Sequence, residues 1–487
     1  MSRCRPLARE AHAGGARRPR SPLFGALILL SSGLLLSTPH SHAQERPGAL
    51  DTSIEGVVPL EVSPTVANLM AEQVARQEAA ALGDHLVDDH LRQLVLQLEA
   101  AEPTERALLI DHIARAAPPA RLLGALRAPA ALPSHPPVGK VARLVRFKEG
   151  AVSYIAMIPE GYTPDRAWPV HFSLHGGGGS SLKNCRANWQ GEPAARGVIL
   201  VCPRVYRGGW WLPGGEERLL RVWDDLRTQY RVDVDRVSID GASSGGAGVW
   251  HMATRLPWMW SAAVPRCAAL PLDPESLGNL KGVRVHIMHG LRDGTILVQN
   301  SQTAFALLRA RGFDVTYFED PKVGHHFMYG HNEAVLDRIE GARRADPWGA
   351  FSYRAAPHGE ALERVHWLKI DWGQSYRPGE VIEGEVALMR QGEGWLAEVR
   401  LEISADVARI EALLPPDPRL EGADVAVILN GERVLEGALS ASTGAILSSW
   451  SGSHDPAMLT PYSVSITLRG DDEGVAGRGA SAEAYRQ

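Results

Sequence analysis

Residues Gly241-Ala242-Ser243-Ser244-Gly245 constrain the fold of this chain more than any other stretch. The apolar run Val237-Ser238-Ile239 leads into them, and Gly246-Ala247-Gly248-Val249-Trp250 leaves them with the pattern of a helix. A strand that turns into a helix across one serine needs flanking residues without side-chain bulk, because anything larger meets the adjoining elements. Such a turn stands the hydroxyl at the carboxyl end of a strand and the N-terminus of a helix.

Strand and helix patterns alternate on either side. Pro169 to Leu174, Val198 to Val201 and Val237 to Ile239 read as strands, with helices over Glu217 to Tyr230 and Ala247 to Leu256. Val141 to Phe147 and Ala151 to Ile158 flank Lys148-Glu149-Gly150 as a hairpin. This alternation predicts an α/β domain over residues 138–349, a mostly parallel sheet with helices on both faces. Ligands of such sheets bind beyond the carboxyl ends of the strands.

A serine is a weak nucleophile unless a base lies within hydrogen-bond reach and a third group orients that base. The candidates lie downstream in the order serine, acid, histidine. Asp293 follows the strand pattern Val283 to Met288, and His325, in Val323-Gly324-His325-His326, follows Val315 to Phe318. His326 competes as base, with loop-holding as its other role, and Asp273, before Pro274, competes as acid but suits a turn. Backbone donors for a developing oxyanion are expected from Ser244 and from Gly176 or Gly177, in the run Leu174-His175-Gly176-Gly177-Gly178-Gly179-Ser180. That loop lacks the Lys and Ser/Thr of a phosphate-binding loop. Tyr206, Trp210 and Trp211, in a Gly/Pro-flanked loop, are candidates for substrate binding, with packing of the loop as their alternative role.

From about Val141 to Phe327 the chain resembles an α/β-hydrolase of the polyhydroxybutyrate depolymerase and feruloyl esterase group, which is related to the catalytic domain of prolyl oligopeptidase. The resemblance is carried by Tyr154-Ile155-Ala156-Met157-Ile158-Pro159-Glu160-Gly161-Tyr162, Leu174-His175-Gly176-Gly177-Gly178, Tyr230 to Val237, the serine turn, Met288-His289-Gly290 with Asp293, and Gly324-His325. It implies a serine hydrolase with Ser243 as nucleophile, His325 as base and then acid, and Asp293 as orienter, acting on a small-molecule or polymeric ester without a cofactor. Arg266-Cys267-Ala268-Ala269 departs from the small or glycine-rich stretch that borders the pocket in such esterases. Two other readings compete: a peptidase of the prolyl oligopeptidase type, and a non-catalytic surface protein that binds a polymer.

The N-terminus carries Arg3, Arg5, Arg9, Arg17, Arg18 and Arg20, an apolar run from Leu23 to Leu36, and Ser41-His42-Ala43. That is the order of a secretory signal, predicted over residues 1–43 with cleavage after Ala43, for a secreted or periplasmic protein. The apolar run is shorter than the ~20 residues of a comfortable membrane span, so no stable span is expected after cleavage, with an uncleaved anchor as the alternative. Cys185, Cys202 and Cys267 then remain, an odd set that permits one bridge at most, and none is assigned.

Residues 44–128 read as helical, with apolar stripes at Val66 to Val74, at Val87, Leu91, Leu94, Val95 and Leu98, and at Leu108, Leu109 and Ile113. A small helical region packed on the hydrolase is the expectation. His85 and Asp89 share a helix face, but no third ligand at sensible spacing accompanies them, so no metal is assigned. Beyond Gly349, short strand-like runs and the hairpin signal Asn430-Gly431 predict a β-sandwich over 360–470, and no helix pattern interrupts them. Trp367, Trp372, Trp395, Trp450 and Tyr462 are candidates there for a carbohydrate-stacking platform or for the core, and 471–487 reads as a disordered tail. A net charge of −5 with dispersed arginines argues against a nucleic-acid partner. No feature specifies an oligomeric state.

Overall fold

The computed structural model describes residues 84–468, apart from 102, 128–131, 134, 148–149, 178, 206–208, 213, 356–363, 373–378, 404–406 and 452–454. The signal, the stripe at Val66 to Val74 and the tail lie outside the described residues. The described residues open with three helices, α1 Asp84–Ala100, α2 Pro103–Ala116 and α3 Pro119–Arg127.

Eight strands then form one sheet: β1 Gly139–Phe147, β2 Gly150–Ile158, β3 Trp168–Leu174, β4 Ile199–Pro203, β5 Val232–Ala242, β6 Ala262–Arg266, β7 Arg284–Gly290 and β8 Val315–Asp320. Their order is β1-β2-β4-β3-β5-β6-β7-β8. The two pairings of β2 are antiparallel, and every pairing from β4 to β8 is parallel. Period-two alternation explains why β4 is apolar throughout. Ile199 and Val201 enter a core with Leu219, Trp223, Val249 and Trp250, whereas Leu200 and Cys202 enter a second core with Trp189, Val335 and Leu336. The helices follow: α4 Glu192–Ala195, α5 Gly215–Gln229, α6 Ser244–Arg255, α7 Gln299–Ala310 and α8 Asn332–Ile339. Residues of α5, α6 and α7 fill the first core and residues of α8 the second, so both faces are covered. Cys185 and Cys202, left unassigned in the sequence, form a disulfide in the second core, and Cys267 is free.

The C-terminal part has two sheets around one core. One is β10-β11-β14-β17, from Arg364–Val365, Leu368–Asp371, Arg409–Leu413 and Ser463–Thr467. The other is β16-β15-β13-β12-β9, from Glu432–Ala438, Asp424–Leu429, Gly394–Ile403, Val381–Gln391 and Phe351–Arg354. Asn430 and Gly431 link β15 to β16 with φ of 49° and 81°, as a two-residue hairpin with both central residues left-handed requires. The run Val365 to Ile370 breaks into two strands at His366, whose φ is 53°. Trp367, Trp372 and Tyr462 belong to this core and Trp450 packs against the helical cluster, so the set forms no exposed platform. Trp395 is half-buried between the Arg390 and Arg419 guanidinium groups.

A helix also interrupts these strands, α9 Thr443–Trp450, capped by the Ser442 hydroxyl accepting from the Ala445 N–H. It corrects the expected placement of the N-terminal helices. Leu91, Leu98, Ile113 and Leu122 share a cluster with Ile446, Leu447 and Leu459, and Arg127 donates to the Leu459 carbonyl at 2.9 Å. The helices therefore bury their stripes against α9 rather than against the eight-stranded sheet. Leu108, placed in the third stripe, is exposed, while Ile113 is fully buried. Among the described residues no helix is long and apolar enough to cross a membrane.

Candidate active site

The parallel strands converge on Ser243. It sits between β5 and α6 with φ 58° and ψ −119°, a conformation costly for a residue with a side chain. The glycines are steric requirements: a Cβ on Gly241 would lie 2.5 Å from the Gly245 carbonyl oxygen, and one on Gly245 would lie 2.2 Å from that of Leu174. The turn is held from the next strand, where the Arg266 carbonyl accepts from the Ser243 N–H at 3.0 Å.

Two loops complete the constellation. His325 Nε2 lies 3.0 Å from Ser243 Oγ, and His325 Nδ1 lies 2.7 Å from Asp293 Oδ2. Asp293 is 4% exposed, and its other oxygen accepts from the N–H groups of Thr295 and Ile296 at 2.8 and 2.9 Å. Burial opposes ionisation of Asp293, but its hydrogen bonds from His325 and the Ile296 and Thr295 N–H groups together hold its carboxyl below the usual range. The competitors are occupied elsewhere. His326 Nδ1 accepts from the Met328 N–H at 3.0 Å, and Asp273 caps a short helix and accepts from Arg354 Nε at 2.6 Å.

Gly176 and Gly177 line a cavity of about 240 Å³ together with His325. A Cβ on Gly177 would lie 3.9 Å from Ser244 Oγ, so the glycine loop faces the start of α6. Trp210 is corrected from substrate contact to support. It is 2% exposed, and its indole N–H donates to the His175 carbonyl at 3.0 Å. Trp211 packs against the same core and does not line this cavity, and Tyr206 lies outside the described residues.

Three supporting groups had no assigned role in the sequence. His289 Nε2 sits 3.1 Å from Asp293 Oδ2 and 2.9 Å from the Ile296 carbonyl, while its Nδ1 is 2.7 Å from Ser301 Oγ. With Nε2 protonated, this ring steadies the same carboxylate oxygen that His325 contacts. Beneath the serine turn, the fully buried Arg266 lies 3.0 Å from Asp240 Oδ2, with His171 Nε2 3.3 Å from Oδ1. The Arg266 guanidinium also donates to the Phe327 and Met328 carbonyls at 3.4 and 3.3 Å, which ties the histidine loop to β5 and β6. Cys267 has φ 38° and is buried, and its Sγ lies with ligand atoms of Asp293 and His325 within 4.8 Å of one another. Burial pushes this thiol up to about 12, so it stays protonated and is a poor nucleophile.

Strand order, an open sheet antiparallel only in the two pairings of β2, and a strained serine between β5 and α6 decide the architecture. The fold is that of an α/β-hydrolase. No family model and no curated protein matches the chain. Among solved structures it is similar to a thermostable esterase, at 22% identity and a TM-score of 0.38 over 42% of this chain and 63% of that one. A ferulic acid esterase matches at 17% identity and a TM-score of 0.37 over 42% and 98%. Dipeptidyl peptidase 4 of Porphyromonas gingivalis matches at 13% identity and a TM-score of 0.35 over 42% and 35%. The chain thus spans under two thirds of the esterase's length.

Ionisable groups in both parts of the molecule, the half-buried His286 and His366 and the buried Asp240 and Asp293, make the folded state acid-sensitive. Burial holds His286 down at about 4, helped by repulsion from Arg266 and Arg338, and burial with Arg364 holds His366 at about 3. Asp240 and Asp293 are also lowered, Asp240 because Arg266 and His171 outweigh its burial. For every one of these groups the unfolded chain binds more protons than the folded one. Stability is therefore fullest above the unfolded histidine value of ~6.5, declines as pH falls below it, and declines again below ~4 as the carboxylates protonate. The urea midpoint is expected to fall between pH 7 and pH 5 and further below pH 4. A midpoint unchanged across that range would contradict this assignment.

Proposed function

We propose that the protein is an exported serine hydrolase that cleaves carboxylic esters through an acyl-enzyme. The observation that carries this reading is the continuous chain Ser243 Oγ, His325, Asp293, at 3.0 and 2.7 Å. His325 takes the Ser243 proton as Oγ bonds to the ester carbonyl carbon, and then gives that proton to the departing alcohol. Water, deprotonated by the same ring, attacks the acyl-enzyme and returns Ser243. Ser244 and Gly176 or Gly177 are the proposed donors to the oxyanion. An ester is favoured over a peptide because a peptidase of the prolyl oligopeptidase type uses an acidic anchor for the substrate amine, and none of the described residues lining the cavity beside His325 is acidic.

Export fits the N-terminal signal pattern, and the Cys185–Cys202 disulfide suits an oxidising compartment. The resemblance to the polyhydroxybutyrate depolymerase and feruloyl esterase group favours small or polymeric esters of hydroxy acids or aromatic acids. Residues 44–128 and 138–349 are proposed as helical region and catalytic domain, and the β-sandwich expected over 360–470 is proposed to start earlier, with β9 at Phe351–Arg354. Turnover of 4-nitrophenyl butyrate against alanyl 4-nitroanilide tests the reaction class. The ester is expected to exceed the anilide in kcat/KM by at least ~100-fold, and preference for the anilide would overturn the assignment.

A further inference from the structure

We propose that the cavity lined by His325 and the glycine loop is a subsite for an anionic group, so that the preferred ester carries a carboxylate on its acyl or alcohol part. This rests on the serine-hydrolase reading and adds the substrate class to it. The cavity holds about 240 Å³, below the roughly 300–1,000 Å³ of a drug-sized pocket, which suits a short substituent. The described residues that line it include no aspartate or glutamate.

The polar groups of the wall divide into those already used and those left over. Tyr329 and Asn188 both donate to Asn184 Oδ1, at 3.0 and 2.9 Å, and Asn184 Nδ2 donates to Ser173. His175 is held between the Gly176 carbonyl at 2.9 Å and the Val205 N–H at 3.3 Å. These residues form the rigid floor.

What remains is donor character. His326 Nδ1 accepts from the Met328 N–H, so its proton resides on Nε2, a donor in either charge state. Ser180 Oγ accepts from the Lys183 N–H at 3.3 Å and keeps its own proton to give. Lys183 is exposed and makes no ion pair among the described residues. An ammonium, a hydroxyl and an imidazole N–H around a cavity whose described lining holds no acids complement an anion. Charge-assisted hydrogen bonds of this kind are about twice as strong as neutral ones.

The experiment uses the full-length protein and two matched pairs of esters. One pair is 4-nitrophenyl hydrogen glutarate and its methyl ester, with charge on the acyl side. The other is 4-acetoxybenzoate and its methyl ester, with charge on the alcohol side. In at least one pair the anionic member is expected to have the higher kcat/KM, by about 10-fold at low ionic strength, and the ratio should shrink with added salt. Lys183→Glu should collapse or reverse that ratio, and Lys183→Ala should reduce it. Because Lys183 is exposed, neither change threatens folding. A ratio near one in both pairs, or a ratio that Lys183→Glu leaves in place, overturns the subsite alone. Absence of turnover for all four esters overturns the serine-hydrolase reading with it.

Discussion

Replacing His325 with alanine is expected to lower kcat for 4-nitrophenyl butyrate by about 10⁶-fold, with far less effect on KM, because members of such a constellation act as a unit. The ring spans the distance between Ser243 Oγ and Asp293 Oδ2, and no second base stands ready. His326 is committed to the Met328 N–H, so it does not substitute. Asp293→Asn is expected to cost roughly 10⁴-fold, since the amide leaves the ring in the wrong tautomer while the geometry survives. Steady-state kinetics on the purified variants, with circular dichroism to confirm folding, checks both. A His325→Ala enzyme within tenfold of the parent would remove His325 from the mechanism.

The second large effect concerns stability. Arg266→Met leaves Asp240 fully buried without its cation, and breaking such a pair from one side costs about 3–5 kcal/mol. Replacing both partners by apolar residues of similar size removes the stranded charge, so the double variant Arg266→Met with Asp240→Leu is expected to recover much of that stability. It should not recover activity. The guanidinium also holds the Phe327 and Met328 carbonyls, and without it the loop carrying His325 loses its tie to the serine turn. Urea unfolding and ester turnover on the single and double variants test the two halves separately. A single variant destabilised by less than about 1 kcal/mol would mean that the pair is not the support described.

The parts legible in the sequence are those whose chemistry tolerates few substitutes. A serine between two glycines at a strand end, a lone aspartate after a strand and a histidine after a glycine each announce a position, and the structure brings all three together. The supporting shell was not legible for a physical reason. His171, Asp240, Arg266 and His289 are polar residues on strands, and a linear pattern cannot tell a buried polar network from an ordinary solvent-facing alternation. Trp210 illustrates the same limit, because an aromatic residue in a loop near a site is equally suited to the cavity wall and to the core behind it. The helical stripe over Val87 to Leu98 correctly signalled burial. Periodicity states which face is covered and never what covers it, so α9 as the partner emerged only from the fold. The strand break at His366 depends on one left-handed residue, a choice that β-propensity does not encode.

The central claim is that Ser243 is a nucleophile made reactive by His325 and Asp293. It is tested most directly by reacting the folded protein with a fluorophosphonate probe and locating the adduct by peptide mapping. The expected result is a single adduct on Ser243, lost on heat denaturation and absent from Ser243→Ala. An adduct on another residue, or equal labelling of Ser243→Ala, would contradict the account.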